Sequence, residues 1–350
     1  MIYYLVTSAN FYTTTAYLKT WGKDLATHLE LLFYEQLPTT KQLPAGTYIF
    51  SDIERLSSSD AELVAQIWDS LSHAGNGLRL LNHPTRSMRR YELLRTLYER
   101  GLNRFNIYHL TELRTPLSFP VFIRGENDHG GSLTPLLHTR EELEAAINAL
   151  DQEGKSRHDK VIVEFCDTSD ANRIFRKYSA FIVGDQIIPT HIFFSANWMA
   201  KVEAAEQCLN KAMLLEERRF VEENPHADAL RQIARLARID YGRIDYALLD
   251  NQIQVWEINT NPMLPRLSYG GDARQPVLQC STQRLNAALA AIDCHVCARI
   301  QVPPSVVQGR AKRFGKLLLE CIPAKYRPYA RRRLKDLQKR GLALLPLAKH

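Results

Sequence analysis

Cysteine is scarce in this chain: six residues in 350, at positions 166, 208, 280, 294, 297 and 321. Thiols so dispersed cannot frame a disulfide scaffold, so the fold must rest on apolar burial, and a reducing, cytoplasmic setting is expected. Cys294 and Cys297 stand at CxxC spacing with His295 between them. Tetrahedral zinc needs four ligands, and no second pair is spaced to complete the set, so these read as buried helix cysteines. Long apolar runs are missing too. Nothing approaches the roughly 18 uninterrupted residues of a membrane span. The opening MIYYLVTSANFY lacks a basic n-region and a sufficient h-region, so it reads as a first core strand and not as a signal peptide. Internal repeats and low-complexity linkers are also absent, which excludes solenoids and fibres.

What is present is an ordinary globular composition, 45% hydrophobic and 24% charged, long enough for about two to three domains. The net charge of +7 is unevenly spread. Residues 301–350 hold 13 Lys/Arg against 2 Asp/Glu, leaving 32 against 36, or −4, for the rest. That tail, with Leu334, Leu337 and Leu345 near helical spacing and Pro323 and Pro328 interrupting it, has two readings. It is a basic amphipathic surface for an acidic partner, an anionic membrane or a polyanion, or it is a C-terminal helix packed on the acidic body. No aromatic interleaving or nucleic-acid module accompanies it, so nucleic acid is not the expected partner.

Along the chain, IYYLVTSA, GTYIFSDI (46–53) and LRLLNHP read as strands. YTTTAYLKTWGKDLATHL and SSSDAELVAQIWDSLSHAG between them read as helical, the latter with Leu63, Ile67 and Leu71 on one face. Strand–helix alternation predicts a mainly parallel α/β layer to about residue 105. Then FPVFIRGENDHGGSLTPLLHT predicts a strand, a glycine-containing loop and a return strand. Thr139 with Glu142 three residues on is a capping box and opens a helix. KVIVEFCDT is a strand, and YSAFIVGDQIIPTHIFF turns at GDQ as a hairpin. Two helical stretches follow, WMAKVEAAEQCLNKAMLLEERRFVEEN and ADALRQIARLARI.

The chemistry concentrates in YGRIDYALLDNQIQVWEINTNPML (241–264). A hairpin turning near Asn251 pairs positions whose numbers sum to about 502, which sets Asp245 opposite Glu257. Side chains alternate along a strand, so Glu257 and Asn259 share a face, as do Arg243 and Asp245. Two carboxylates and an amide oxygen suit Mg²⁺, which completes its shell with water and phosphate. Adjacent carboxylates repel, and a divalent cation relieves that cost.

RIDYALLDNQIQVWEINTNPM resembles the metal-binding signature of the ATP-grasp superfamily, especially its D-alanine–D-alanine ligase and glutathione synthetase-like branches. There an Arg-x-Asp on one strand precedes Glu-x-Asn-Thr-x-Pro on the next. The resemblance covers roughly residues 80 to 265 and implies an α/β pre-ATP-grasp domain (1–105). An ATP-grasp N-lobe (106–180), a C-lobe with the metal site (181–300) and the basic helical tail (301–350) would follow it. It implies that Asp245, Glu257 and Asn259 hold Mg²⁺ (or Mn²⁺) bridging ATP phosphates, and that Arg243 steadies a tetrahedral intermediate. Arg124 stands where the family has a phosphate-contacting lysine, and Arg89 or Arg90 stands where a second lysine is found. Arginine keeps the charge and forks onto phosphate but is not interchangeable with lysine.

GENDHGGS (125–132) brings Gly130 and Gly131, which let backbone N–H groups approach phosphate. It is a near miss to GxxxxGK[ST], with Gly131 in the lysine's place. By the same resemblance Glu164, Phe165 and Cys166 offer main-chain groups to adenine, Arg176 and Lys177 face the nucleotide, and Lys201 reaches the γ-phosphate from a loop. The alternative for Lys201 is a solvated helix start.

The activity implied is ATP-dependent phosphorylation of a carboxylate, on a small molecule or peptide, followed by attack of an amine or other nucleophile on the acyl phosphate. A kinase of the same fold is the alternative, and a nucleotide-binding protein without turnover is a third reading. Retention of Arg-x-Asp favours the ligase, since transfer to a hydroxyl forms no tetrahedral carbon. His129, His191, Asp52 and Tyr269 are candidate linings of the substrate pocket.

Overall fold

A computed structural model of the protein describes residues 1–301 other than 41, 75–76, 113–115, 129, 200–208, 266–270 and 295–298. Lys201, His129, Tyr269, Cys297 and the basic tail lie outside the described residues.

Every residue of strand β1 (Ile2–Val6) is buried, as is every residue of β2 (Leu29–Phe33) and β4 (Thr47–Phe50). Unbroken burial is what a parallel sheet covered on both faces requires. These strands and β5 (Arg79–Leu81) form a parallel sheet in the order β2-β1-β4-β5. One face packs Tyr3, Leu5, Tyr48 and Phe50 against Ala61, Val64, Ile67 and Leu71 of helix α2 (Ser58–His73). The other packs Tyr4, Val6 and Ile49 against Leu285 and Leu289 of a long later helix. The β2 strand is a departure from the sequence reading, in which 12–29 was one helical stretch and Gly46–Ile53 the second strand. Tyr12–Leu18 is a single short helix, α1, then a 3-10 turn at Lys23–Thr27 leads into LELLF. Because both faces of β2 are covered, its pattern carries no alternation to betray it.

Beyond helix α3 (Arg90–Glu99), β6 (Ile107–His109), β7 (Val121–Gly125) and β8 (Lys160–Glu164) form an antiparallel sheet in the order β6-β8-β7. The expected return strand after β7 is reduced to two isolated bridges, Val121 with Leu137 and Arg124 with Ser132. Thr139 does cap α4 (Arg140–Gln152), its side chain accepting from the Glu142 amide. A third, wholly antiparallel sheet has the order β10-β9-β11-β12, from β9 (Phe175–Val183), β10 (Gln186–Ser195), β11 (Tyr241–Leu249) and β12 (Gln252–Asn259). Helices α5 (Lys211–Glu223) and α6 (Ala227–Ala237) intervene, and α7 (Gly271–Ile292) follows. A short pairing of β3 (Gln42–Pro44) with β13 (Arg299–Gln301) completes the described fold.

Helix α7 was not anticipated, although its buried residues 277, 278, 281, 285, 288, 289 and 292 fall at helical spacing. Pro276 lies in its second turn, and such a proline hides a helix from a sequence reading. None of the helices among the described residues is long and apolar enough to cross a membrane.

Two sets of side chains lock these layers together. Asn82, fully buried, accepts from the amides of Asp240 and Tyr241 and donates to the carbonyls of Phe50 and Tyr241. All four of its hydrogen-bonding positions are thereby used to staple the parallel sheet to the start of β11. At the open edge of β10, the Ile192 N–H donates to Glu217 Oε1 (3.0 Å) and its carbonyl accepts from Arg274 Nη2 (2.6 Å). Glu217 on α5 and Arg274 on α7 also pair with each other through two contacts, 2.5 and 2.8 Å, with Glu217 0% exposed.

Replacing both members of a buried ion pair by apolar residues is often neutral, whereas removing one costs about 3–5 kcal/mol. Here the pair also satisfies backbone groups. Glu217→Leu and Arg274→Leu are each expected to lower the thermal midpoint, and the double variant is expected not to recover, measured by calorimetry.

Candidate active site

The hairpin of β11 and β12 turns through Asp250 and Asn251, both at positive φ (50° and 60°), as a two-residue primed turn demands. Pairing runs Leu249–Gln252 to Tyr246–Val255, and then shifts to Asp245–Glu257 and Arg243–Asn259. Trp256 is the extra residue of a β-bulge, and it is this bulge that brings Glu257, in place of Trp256, opposite Asp245. Asp245 in turn lies opposite Ser179 of β9, and His191 of β10 lies on the other side of Ser179. The result is one sheet face that carries Glu257 on β12, Asp245 and Arg243 on β11, Ser179 and Lys177 on β9, and His191 with Phe193 on β10.

This face floors a cavity of about 890 Å³. Asp245, 3% exposed, accepts from Arg243 Nε (2.9 Å) and Nη2 (3.1 Å) and from Ser179 Oγ (2.9 Å), with Lys177 Nζ at 3.7 Å. Glu257 pairs with Arg90, and Arg124 Nη2 lies 4.0 Å from it. Lys177 Nζ and the Arg274 guanidinium lie 5.1 and 5.7 Å from the Phe193 ring centre, cation–π distances on either count. The far end of the cavity is aromatic. Trp198 stands 4.9 Å from Phe122 and 5.9 Å from Phe165, beside Val163, Cys166 and Phe175. These rings pack on one another and give that end of the cavity an apolar wall.

The placement of the other candidates is uneven. Arg124, Gly130, Gly131, Glu164, Phe165, Cys166, Arg176 and Lys177 all line the cavity with Arg243, Asp245 and Glu257. Burial, and then the nearby Arg90 charge, lower the Arg124 pKa to about 10, so it stays cationic at neutral pH. Gly131 has φ +92°, a conformation open to glycine. Arg176 is engaged by Asp170 and Glu216, at 2.7 Å each. The Glu164 carboxylate is internal, accepting from the Asn106 and Ser118 amides and from Tyr108 Oη. The amides of Glu164 and Phe165 already donate to the carbonyls of Asn106 and Pro120. An adenine edge would therefore have to use other main-chain groups of that segment. Burial pushes the Cys166 thiol up to about 11, which makes it inert.

Two expectations change. Arg90 is not part of the cavity lining; it is buried behind it. Its guanidinium donates to the carbonyls of Gly125, Glu126 and Asp128 and pairs with Glu257. It holds the loop after β7 to the end of β12. Asp52 also lies away from the cavity, at the C-terminal end of β4, where it accepts from Thr7 and Asn10 and pairs with Arg55. Asn259 is 8% exposed and accepts from the Asn261 amide (2.9 Å), at the margin of the floor. Asn261 accepts from Tyr4 Oη and Thr13 Oγ1, so NTNP anchors on the parallel-sheet unit before Met263–Pro265 return to the cavity wall. Among the described residues no three His, Cys, Asp or Glu side chains are grouped to hold a metal.

Sequence reasoning missed Ser179, Phe193, Trp198, Glu217 and Arg274. For Ser179 a signal existed, a small polar residue between Tyr178 and Ala180 on a strand read as one, whereas Phe193 had none, standing between Ile192 and Phe194. Arg274 and Glu217 had none, being charges on helical faces that chemistry usually leaves in water.

No family profile matches this chain, and no curated protein does. Solved ligase and synthetase structures are similar to it over most of its length. A D-alanine–D-alanine ligase from Bacillus anthracis shares 13% identity, with 82% of this chain and 99% of that one covered and a TM-score of 0.44. An L-amino acid ligase from Bacillus licheniformis shares 12%, with 81% and 75% covered and a TM-score of 0.39. A D-cycloserine synthetase shares 13%, with 82% and 99% covered and a TM-score of 0.46.

Arg90→Met removes the donor that three loop carbonyls share. Unsatisfied buried acceptors cost about 1–3 kcal/mol each, so limited proteolysis is expected to cut the 125–131 loop faster in this variant than in the parent protein.

Proposed function

We propose that this protein is an ATP- and Mg²⁺-dependent ligase that activates a carboxylate as an acyl phosphate and passes the acyl group to an amine or another nucleophile. The observation that carries this reading is the shared sheet face, on which Arg243, Asp245 and Glu257 floor one cavity whose other end is aromatic. The residues fit a divalent cation: Asp245 and Glu257 are hard oxygen donors on neighbouring strands, and arginines now balance each of them. Bound there, with Asn259 as the third candidate donor, the metal would supply Lewis-acid neutralisation of phosphate oxygens.

The chain's own residues supply the rest. The Trp198, Phe165 and Phe122 cluster offers the base an aromatic surface at one end of the cavity, and Arg124 with the glycine loop meets the phosphates. Arg243 and Lys177 stand next to the carboxylates on the same face, where an oxyanion on the acyl carbon would find two cations already oriented. Their orientation is fixed before reaction by Asp245, so little reorganisation is needed as charge develops. A kinase would not need that oxyanion group, which is why the ligase is preferred.

The test is an ADP-release assay on the full chain with ATP, Mg²⁺ and pools of amino acids and small peptides. ADP with phosphate and a new amide supports the ligase. ADP with a phosphorylated hydroxyl makes the protein a kinase, and absence of ADP leaves a nucleotide-binding protein. Asp245→Asn and Glu257→Gln are each expected to slow ADP release by about 100-fold or more, the size typical of losing a group that stabilises transition-state charge.

A further inference from the structure

We propose that His191 is the general base of the second half-reaction, taking the proton from the acceptor nitrogen as the new bond to the acyl carbon forms. This rests on the ligase reading and adds a catalytic residue to it. His191 lines the cavity on the same sheet face as Arg243 and Asp245, two strands from Asp245 through Ser179. Glu257 lies on β12 and Asp245 with Arg243 on the neighbouring β11, so His191 on β10 stands across the same floor from both carboxylates.

A hydrogen-bond relay fixes which nitrogen is basic. Thr190 has one hydroxyl hydrogen, and it goes to the Ser179 carbonyl (2.9 Å). At its 3.0 Å contact with His191 Nδ1, Thr190 Oγ1 can then only accept, so Nδ1 carries the proton and Nε2 keeps its lone pair. Ser179 in turn donates its own hydroxyl to Asp245. A base oriented by a third group is the arrangement that proton abstraction uses.

The charges around the ring keep it unprotonated at rest and limit it to a brief hold on a captured proton. Lys177 on β9, Arg243 on β11 and Arg274 on α7 face it, with Asp245 and Glu217 as the carboxylate partners of those cations. Burial first, and then these three cations, hold the imidazole well below its ordinary pKa. It is therefore neutral at physiological pH and surrenders a captured proton readily.

The step balances. The amine lone pair attacks the acyl carbon, the C–N bond forms, and the nitrogen becomes cationic and acidic. His191 Nε2 takes one N–H proton. The tetrahedral carbon collapses to the amide, the C–O bond to phosphorus breaks with its electron pair on oxygen, and the departing phosphate recovers the proton from the imidazolium. No oxidant or further reactant is needed.

The experiment compares two nucleophiles in the full-length protein. Carboxylate donors from the common amino acids are screened by ADP release, with either hydroxylamine or an amino-acid amine as acceptor. Hydroxylamine is weakly basic, and its adduct sheds a proton to water. His191→Ala should keep hydroxamate formation within about twofold and lose amide formation by about 100-fold, the usual range for a lost general base. Added free imidazole should restore the amide. His191→Gln, which preserves volume and polarity, should show the same split and serves where alanine compromises folding. If hydroxamate and amide fall together, or if amide formation is unaffected, His191 has no such role. If the parent protein releases no ADP with any donor, the ligase reading itself is lost, and this role with it.

Discussion

The single extra residue in β12 governs the chemistry of the whole molecule. A two-residue turn at Asp250–Asn251 by itself would pair Asp245 with Trp256 and leave Glu257 facing the core side. The bulge resets the register by one, and since strand side chains alternate, one residue is the difference between a carboxylate pair and a carboxylate facing an indole. Everything else on the floor inherits that setting. Arg243 and Asp245 are positioned by their own strand, Ser179 by its pairing with Asp245, and His191 by its pairing with Ser179. Gly242 is part of the same constraint, for a Cβ there would lie 2.8 Å from the Asn259 carbonyl oxygen. The two strands approach closely just where the site begins.

Arginine does most of the holding of the carboxylates, with Lys177 as the second cation beside Asp245. Asp245 is held by a two-pronged Arg243, and Glu257 by Arg90, whose other prong gathers three carbonyls of the loop over the cavity. A planar guanidinium can satisfy several acceptors in fixed directions where an ammonium cannot. Position 90 therefore makes sense as an arginine on structural grounds alone, and of the two arginines it is Arg124 that lines the cavity. On the opposite side, Asn82 and Asn261 tie the parallel sheet to both ends of the hairpin, so the first unit and the floor form one continuous hydrogen-bonded body.

What was legible in the sequence was local. The Thr139 cap, the turns at Gly184 and Asp250–Asn251 and the shared faces of Arg243 with Asp245 and of Glu257 with Asn259 are governed by near neighbours, and each was read correctly. The Asp245–Glu257 pairing was also anticipated, from a turn centred on Asn251; the actual turn lies half a residue earlier and the bulge makes up the difference. What was hidden depends on distant parts of the chain. LELLF gives no periodic signal because it is covered on both faces, α7 is masked by Pro276, and the roles of Arg90 and Asp52 are set by backbone groups 35 or more residues away. A charge read from sequence has a sign but no address.

The ion pair at the margin of the third sheet has a consequence for the molecule's dealings with its neighbours. β10 is an outermost strand, and an outermost strand normally offers a row of vacant donors and acceptors on which another chain can lay a strand of its own. At Ile192 both groups are already taken, by a carboxylate and a guanidinium that imitate the missing strand. A second molecule attempting to extend the sheet there would have to expel two buried charges first. The same contact that fixes α5 and α7 thus discourages sheet-to-sheet association at the strand that carries His191.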